Sequence, residues 1–234
     1  MIFEQLYESR SGTYTYLLAD EKTREAVLID PVLDDFQRYV VLIEERDLNL
    51  KYTFETHVHA DHITAAAKLR ERFGSFSVLH EDAGVACADK LVRDGDQLHI
   101  GDLSFTVLHT PGHTDSDVSY LMGNKVFTGD TLLIGGCGRT DFQQGDAGKM
   151  YDSITNKLYT LPADTVVYPG HDYHGRLSST IESEKQTNQR INGSTGRQGF
   201  IQLMANLQLP QPSQIDKALP ANTLCGRDVA EEEQ

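Results

Sequence analysis

The sequence predicts an α/β protein built from two β-sheets with helices on their outer faces, an αββα sandwich. Two patterns indicate this fold class: short strand-like runs recur along most of the chain, and amphipathic helical stretches lie between and after them. The composition agrees, because 39% hydrophobic and 24% charged residues in a chain of 234 suit a globular protein with a core. We expect a single domain over 1–234, with 178–234 as a mostly helical C-terminal part.

The strands are predicted from runs rich in β-branched and aromatic residues that end at turn-forming residues. The first two runs, "TYTYLLAD" and "EAVLID", are separated by the polar turn "EKTR", and several later runs are joined by Gly and Asn turns typical of hairpins. The predicted strands are 13–20, 25–30, 50–56, 76–80, 96–100, 103–110, 117–122, 125–130 and 165–170.

The helices are predicted from apolar residues at helical spacing. In the first of them, Phe36, Tyr39, Val40 and Ile43 stand at i, i+3, i+4 and i+7, after an aspartate that can cap the N-terminus. The predicted helices are 34–47, 62–73, 147–161, 179–188 and 197–207. The Pro-containing stretch 209–222 is expected to wrap the surface, and "RDVAEEEQ" at 227–234 to form a frayed tail.

Charge and cysteine usage limit the classes of partner and compartment. A net charge of −14 repels phosphate backbones and anionic lipids, so we expect neither a nucleic-acid nor a membrane partner. Cys87, Cys137 and Cys225 are widely separated and form no CxxC pair, which favours a reducing compartment and argues against a zinc–thiolate site. We therefore expect a cytoplasmic protein.

Residues that can bind metals recur where predicted strands end. The stretch "THVHADH" places His57, His59, Asp61 and His62 within six positions after the strand 50–56. The later candidates each follow another strand, and they are His113 in "PGHT", Asp130 in "FTGD" and His171 in "YPGHD". Imidazole and carboxylate together suit zinc, iron or manganese. His80, His99 and His109 lie outside these motifs and are interpreted as structural residues.

The four motifs, in this order and spacing, resemble the signature of the metallo-β-lactamase superfamily. The stretches "GDTLLIGGCGRTDFQQGDA", "YPGHDYHG" and "LPQPSQIDKALPANTLCG" are similar to the persulfide dioxygenase branch of that superfamily. The resemblance covers nearly the whole chain. It implies the αββα sandwich of that superfamily, a homodimer, and the Fe(II)-dependent oxidation of glutathione persulfide by O₂ to sulfite and glutathione.

By the same resemblance, one Fe(II) per chain is held by His57, His113 and Asp130. Four further candidates, His59, Asp61, His62 and His171, then surround these ligands. In the rival interpretation, a glyoxalase II-like dizinc thiolester hydrolase, they are true ligands. The resemblance to dizinc members of the superfamily then implies a first metal on His57, His59 and His113, a second on Asp61, His62 and His171, and Asp130 as the bridge between them. All seven residues are present, so the signature alone does not decide between one metal and two.

Candidate substrate contacts lie in the loop "GGCGRTDFQQG" and after it in the chain. Arg139 has two possible roles, because it can pair with Asp141 to fix the loop or face an anionic substrate. Tyr173, in "HDYHG", is predicted to make a polar contact in the iron pocket, and both residues are assigned as catalytic and substrate-binding. Lys185 and Arg190 are additional candidate cations. Cys137 and Cys225 have no neighbouring base in sequence, so we do not expect a thiol nucleophile.

Overall fold

The computed structural model describes residues 1–212 and 214–227, which form two compact units. The first unit comprises Met1–Val92, His99–Ser104 and the described residues from Gln211 onward, and the second comprises Arg93–Leu98 and Phe105–Pro210. The predicted frayed tail lies outside the described residues except for Arg227. No helix in the described part of the chain is long and apolar enough to cross a membrane.

The first sheet contains six strands in sequential order. They are β1 (Ile2–Glu8), β2 (Thr13–Ala19), β3 (Glu25–Ile29), β4 (Asn49–Phe54), β5 (Phe76–His80) and β6 (Lys90–Val92). The first three pair antiparallel, and β3 to β6 pair parallel. Parallel neighbours need crossover connections, and two of these are the helices α1 (Phe36–Glu45) and α2 (Ala66–Phe73).

Helix α1 packs on this sheet through the residues that the helical spacing predicted. Tyr39 and Ile43 are buried in one cluster with Leu17 of β2 and Leu28 of β3. Helix α2 ends at Gly74, whose φ of +71° provides the left-handed C-cap that glycine adopts without strain.

The second sheet also has six strands, with β12 and β7 at its edges. The strands are β7 (Gln97–Ile100), β8 (Leu103–His109), β9 (Val118–Met122), β10 (Lys125–Gly129), β11 (Val166–Pro169) and β12 (Ser179–Thr180), in the spatial order β12-β11-β10-β9-β8-β7. Strands β10 and β11 pair parallel and are connected through the helix α3 (Ala147–Asn156). Met150 and Ile154 of α3 are buried against Val126, Val167 and Phe200.

Three helices follow β12: α4 (Ile181–Thr187), α5 (Arg197–Ala205) and α6 (Ile215–Thr223). The predicted α/β class with two sheets is confirmed, and six α-helices lie in the described residues. The stretch 209–222 was expected to wrap the surface, and its second half forms α6, a helix that the sequence analysis did not predict. Pro220 lies inside that helix and conceals it in the sequence.

The sequence analysis did not predict that two of the cysteines pair. Cys87 and Cys225 form a disulfide, with their Cα atoms 6.0 Å apart. The pair escaped the sequence analysis because 138 positions separate its members. Cys137 is free and buried, and burial raises the pKa of its thiol to about 11. Such a thiol stays protonated at neutral pH, in agreement with the expectation that it is no nucleophile.

Candidate metal centre

The first unit presents its metal-capable residues in the loop that follows β4. His57 is buried, and its Nδ1 lies 3.0 Å from Thr56 Oγ1. The Thr56 hydroxyl donates to Asp30 Oδ2 at 2.8 Å, while the Thr56 N–H donates to Asp30 Oδ1 at 2.7 Å. Since that hydroxyl proton is committed to Asp30, Thr56 Oγ1 accepts from His57 Nδ1–H, and Nε2 of His57 carries the lone pair.

Asp30 also orients the second histidine of the motif. His59 Nε2 lies 3.1 Å from Asp30 Oδ1 and 3.4 Å from Glu55 Oε2, and all three side chains are buried. Burial alone would lower the pKa of His59, but the two carboxylates outweigh it and raise that pKa well above 6.5. The backbone of Asp30 has a φ of +50°, the left-handed conformation that aspartate tolerates better than most residues.

The donor atoms of His59, Asp61 and His62 lie within 4.8 Å of one another. His62 Nδ1 is 2.9 Å from Asp61 Oδ2 and 3.3 Å from Thr13 Oγ1. Among the described residues, His59 Nδ1 and His62 Nε2 are buried without a hydrogen-bond partner. Buried polar atoms are rarely left in this state, so these two nitrogens fit a metal ion or another acceptor of a lone pair.

The second unit presents His113, Asp130 and His171 at strand ends. His113 Nδ1 donates to the Arg139 carbonyl oxygen at 2.8 Å, so its Nε2 carries the lone pair, and this Nε2 lies 3.8 Å from Asp130 Oδ2. Asp130 Oδ1 lies 2.7 Å from His171 Nδ1. Asp130 therefore lies between the two histidines within this unit.

Two glycines allow the backbone to approach these side chains closely. A Cβ on Gly138 would lie 2.4 Å from the Asp130 carbonyl oxygen and 3.1 Å from His113 Nδ1. A Cβ on Gly170 would lie 2.8 Å from Asp130 Oδ1. These glycines are required because no side chain fits beside the donor residues.

Arg139 takes the first of its two predicted roles. Its Nε and Nη2 donate to the two oxygens of Asp141 at 2.6 and 2.8 Å, and its Nη1 donates to the Pro210 carbonyl at 2.6 Å. The guanidinium also lies 4.3 Å from the centre of the Phe142 ring. This pairing lowers the pKa of the Asp141 carboxyl. Arg139 thus fixes the loop whose carbonyl holds His113.

The remaining candidates are more dispersed. Tyr173 is 72% exposed, and its ring stacks on that of His171 with 6.0 Å between centroids. Arg190 donates to the Cys137 carbonyl. His80 Nδ1 accepts from the Asp82 N–H at 3.2 Å, and His109 Nε2 lies 2.9 Å from the Asp115 carbonyl, which fits the structural interpretation of both histidines.

Two carboxylates of the site were missed by sequence reasoning. Asp30 ends a predicted strand. The other candidates were recognised because they lie where strands end, so Asp30 could have been found in the same way. Asp117 is buried in the second unit and accepts from the N–H and hydroxyl of Thr114 at 2.7 and 2.9 Å. Burial raises the pKa of Asp117 to about 6. Nothing in its local sequence pattern indicated that it would be buried.

The chain is similar in sequence and fold to known proteins. Residues 9–171 match the family described as the metallo-beta-lactamase superfamily. The chain is 47% identical over 229 residues to a human protein named "Persulfide dioxygenase ETHE1, mitochondrial", covering 97% of this chain and 89% of that one. A crystal structure of ETHE1 from Myxococcus xanthus is 55% identical, with a TM-score of 0.95 over 97% of this chain and all of that one.

A hydrolase is a more distant relative. The cytoplasmic hydroxyacylglutathione hydrolase of Arabidopsis thaliana is 37% identical over 169 residues, which cover 68% of this chain and 64% of that one. The donor residues and this fold together support a metal cofactor. The chain belongs to the metallo-β-lactamase superfamily.

Proposed function

We propose that this chain is an enzyme, a persulfide dioxygenase that converts glutathione persulfide, O₂ and water to glutathione and sulfite. The observation that carries this proposal is the 47% identity, over 97% of the chain, to a protein named persulfide dioxygenase. The reaction balances as GSSH + O₂ + H₂O → GSH + SO₃²⁻ + 2H⁺. Both oxygen atoms of O₂ go to the outer sulfur, and water supplies the third oxygen of sulfite.

The proposed cofactor is one Fe(II) per chain, held by His57, His113 and Asp130. An iron ion held by these two imidazoles and one carboxylate would supply the redox chemistry between oxygen and a sulfur substrate. The tautomers support this assignment, because Thr56 and the Arg139 carbonyl hold the Nδ1 protons of the two histidines. Both Nε2 atoms therefore have the lone pair that a ligand needs.

The other residues of the motifs would hold these ligands in place. Asp30 positions Thr56 and thereby the ring of His57. His171 bonds one oxygen of Asp130 and limits the rotation of that carboxylate. Asp61 and His62 bond each other, and Thr13 lies within 3.1 Å of Asp61 Oδ2 and 3.3 Å of His62 Nδ1. Such contacts typically change metal affinity or activity 10- to 100-fold when they are lost.

Substrate contacts are proposed at two residues. Tyr173 is exposed beside His171 and can offer its hydroxyl to a carboxylate or amide of glutathione. Arg139 holds the loop whose carbonyl oxygen accepts from His113, and its guanidinium brings a positive charge to that loop. Its Nε and Nη2 atoms are bonded to Asp141. We therefore assign Arg139 chiefly to positioning and Tyr173 to direct contact.

A dizinc thiolester hydrolase is the second candidate. It is favoured by the close grouping of His59, Asp61 and His62 and by the orphaned nitrogens of the two histidines. A bridging hydroxide between two zinc ions attacks carbonyl carbon and needs no oxygen. The two functions therefore differ in metal count and in their requirement for O₂.

The test is metal analysis of anaerobically purified protein, followed by oxygen-electrode assays with glutathione persulfide. We expect one iron per chain and one O₂ consumed per sulfite formed. His57→Ala, His113→Ala and Asp130→Ala should each lose iron and activity, while His99→Ala, at an exposed position of β7, should retain both. Two zinc ions per chain with full turnover of S-lactoylglutathione under argon would establish the hydrolase instead.

The assembly and location expected from the sequence stay predictions. We propose a homodimer, to be tested by light scattering of the purified chain. A cytoplasmic location is to be tested by cell fractionation. The Cys87–Cys225 disulfide removes the cysteine argument for a reducing compartment.

A further inference from the structure

The C-terminal segment from Asn222 to Gly226 contacts the metal-binding loop although about 160 positions separate them in sequence. Asn222 lies near the end of α6 and is 4% exposed. Its Nδ2 donates to the carbonyl oxygens of His59 and His62, each at 2.8 Å. Its Oδ1 accepts from the Thr64 N–H at 2.9 Å. One side chain thus bonds three backbone groups of the loop.

These bonds reach two histidines of the donor cluster and Thr64, which follows it. The loop 55–65 lies between β4 and α2, so sheet or helix hydrogen bonds do not fix most of its backbone. An amide is the one small side-chain group that donates two hydrogen bonds and accepts another in this arrangement. Because buried backbone groups require partners, loss of Asn222 leaves two carbonyls and one N–H to find water or to move.

Movement of this backbone would shift the histidine rings. The rings of His57 and His59 have centroids 4.1 Å apart, and those of His59 and His62 have centroids 4.3 Å apart. Packed rings at these distances do not move independently. Asn222 donates to the carbonyl oxygens of His59 and His62, which are the second and third histidines of this group of rings.

Cys225 and Gly226 contact the end of this loop and the start of α2. The Cys225 carbonyl accepts from the Ala67 N–H at 3.0 Å. A Cβ on Gly226 would lie 2.1 Å from the Thr64 carbonyl oxygen, so the backbone approaches as closely as glycine allows. A small pocket is lined by both Asn222 and Cys225 together with His57 and His59. The Cys87–Cys225 disulfide ties the segment to the strand region around β5 and β6.

We propose that Asn222 is a positioning residue for the metal-binding loop, acting through the backbone of residues 59–64. This proposal rests on the proposed metal site but not on the identity of the substrate. Asn222 touches neither iron nor substrate in this account. It sets the arrangement of the histidines and thereby the affinity and ligand field of the metal.

The experiment compares Asn222→Ala, Asn222→Asp and Asn222→Ser with wild type. Asn222→Asp retains the acceptor for Thr64 but turns an oxygen toward two carbonyl oxygens. Asn222→Ser leaves space for water to bond the three backbone groups, so it is the mildest change and carries the test if Asn222→Ala does not fold. Ile43→Val, a core substitution in α1, controls for a general loss of stability.

Binding of Co(II) to the metal-free proteins is measured by chelator competition and by visible absorption. We expect affinity to fall about 10- to 100-fold in Asn222→Ala and Asn222→Asp and less in Asn222→Ser, with altered Co(II) bands in all three. Turnover per chain should fall with metal content and recover with excess Fe(II), while KM stays unchanged. Ile43→Val should bind Co(II) as wild type does.

The outcomes separate this proposal from the proposed function. Wild-type Co(II) affinity and spectrum in a folded Asn222→Ala or Asn222→Ser protein would overturn the role of Asn222. Weakened Co(II) binding in the variants, with no persulfide oxidation by wild type, would overturn the dioxygenase function and leave the role of Asn222 standing. Equal losses in Asn222→Ser and Ile43→Val would show that Asn222 acts only through stability and would also overturn the proposal.

Discussion

The disulfide between Cys87 and Cys225 gives a prediction about stability that the structure lets us size. The bridge closes a loop of 138 positions. The loop-entropy relation for a cross-link of this length gives about 5 kcal/mol at 25 °C, and measured contributions are usually about 2–4 kcal/mol. We expect Cys87→Ser to lower the free energy of unfolding by about 3–5 kcal/mol. With a urea m-value of roughly 3 kcal/mol/M, the unfolding midpoint falls by about 1–1.7 M.

The assay is urea unfolding of wild type and Cys87→Ser, each with and without a reductant. Reduced wild type should match Cys87→Ser, whose midpoint should not respond to the reductant. Thiol titration of unfolded, unreduced wild type should detect only Cys137, compared with three thiols after reduction. Three thiols before reduction, or identical midpoints for wild type and Cys87→Ser, would refute the cross-link and the stabilisation inferred from it.

Three further predictions concern single residues. Cys137 should resist iodoacetamide in the folded protein at pH 8 and react after unfolding, because burial raises the pKa of its thiol to about 11; mass spectrometry reports the modification. Burial opposes the ionisation of Asp89, but hydrogen bonds from the Ser77 N–H and from Arg70 outweigh it and lower the pKa of Asp89 below 3.8. The carboxylate of Asp89 therefore stabilises the fold above pH 3.8, and this contribution is lost as the pH falls through the lowered pKa of Asp89. The free energy of unfolding of Asp89→Asn should consequently differ less between pH 7 and pH 3 than that of wild type, as measured by acid-unfolding curves. Gly112→Ala would place a Cβ 2.3 Å from the backbone of α3 at a φ of +151°, and the free energy of unfolding should fall by about 1–3 kcal/mol in thermal or urea melts.

The sequence revealed nine of the twelve strands in the described residues, and the donor motifs, because these have short-range signals. Tyr39 and Ile43 showed the buried face of α1 by their spacing, and "THVHADH" placed its donors within six positions. The site also depends on contacts that no local pattern encodes. Asn222 bonds the backbone of a loop about 160 positions away, and Cys87 pairs with Cys225 across 138 positions.

Short edge elements escaped for a different reason. β6 has three residues and β12 has two, lengths at which alternation cannot be recognised. Helix α6 was missed because Pro220 in its interior argues for an irregular segment.

The position of Asp30 has a consequence for anyone who redesigns this centre. Its carboxylate serves two histidines at once, directly through His59 Nε2 and through the Thr56 hydroxyl for His57. Replacing His59 by an apolar residue would leave two adjacent acids, Asp30 and Glu55, buried in the protein interior without the imidazole that pairs with both of them. An apolar residue at position 59 is therefore compatible with the fold only if both acids are exchanged with it, as a set of three substitutions.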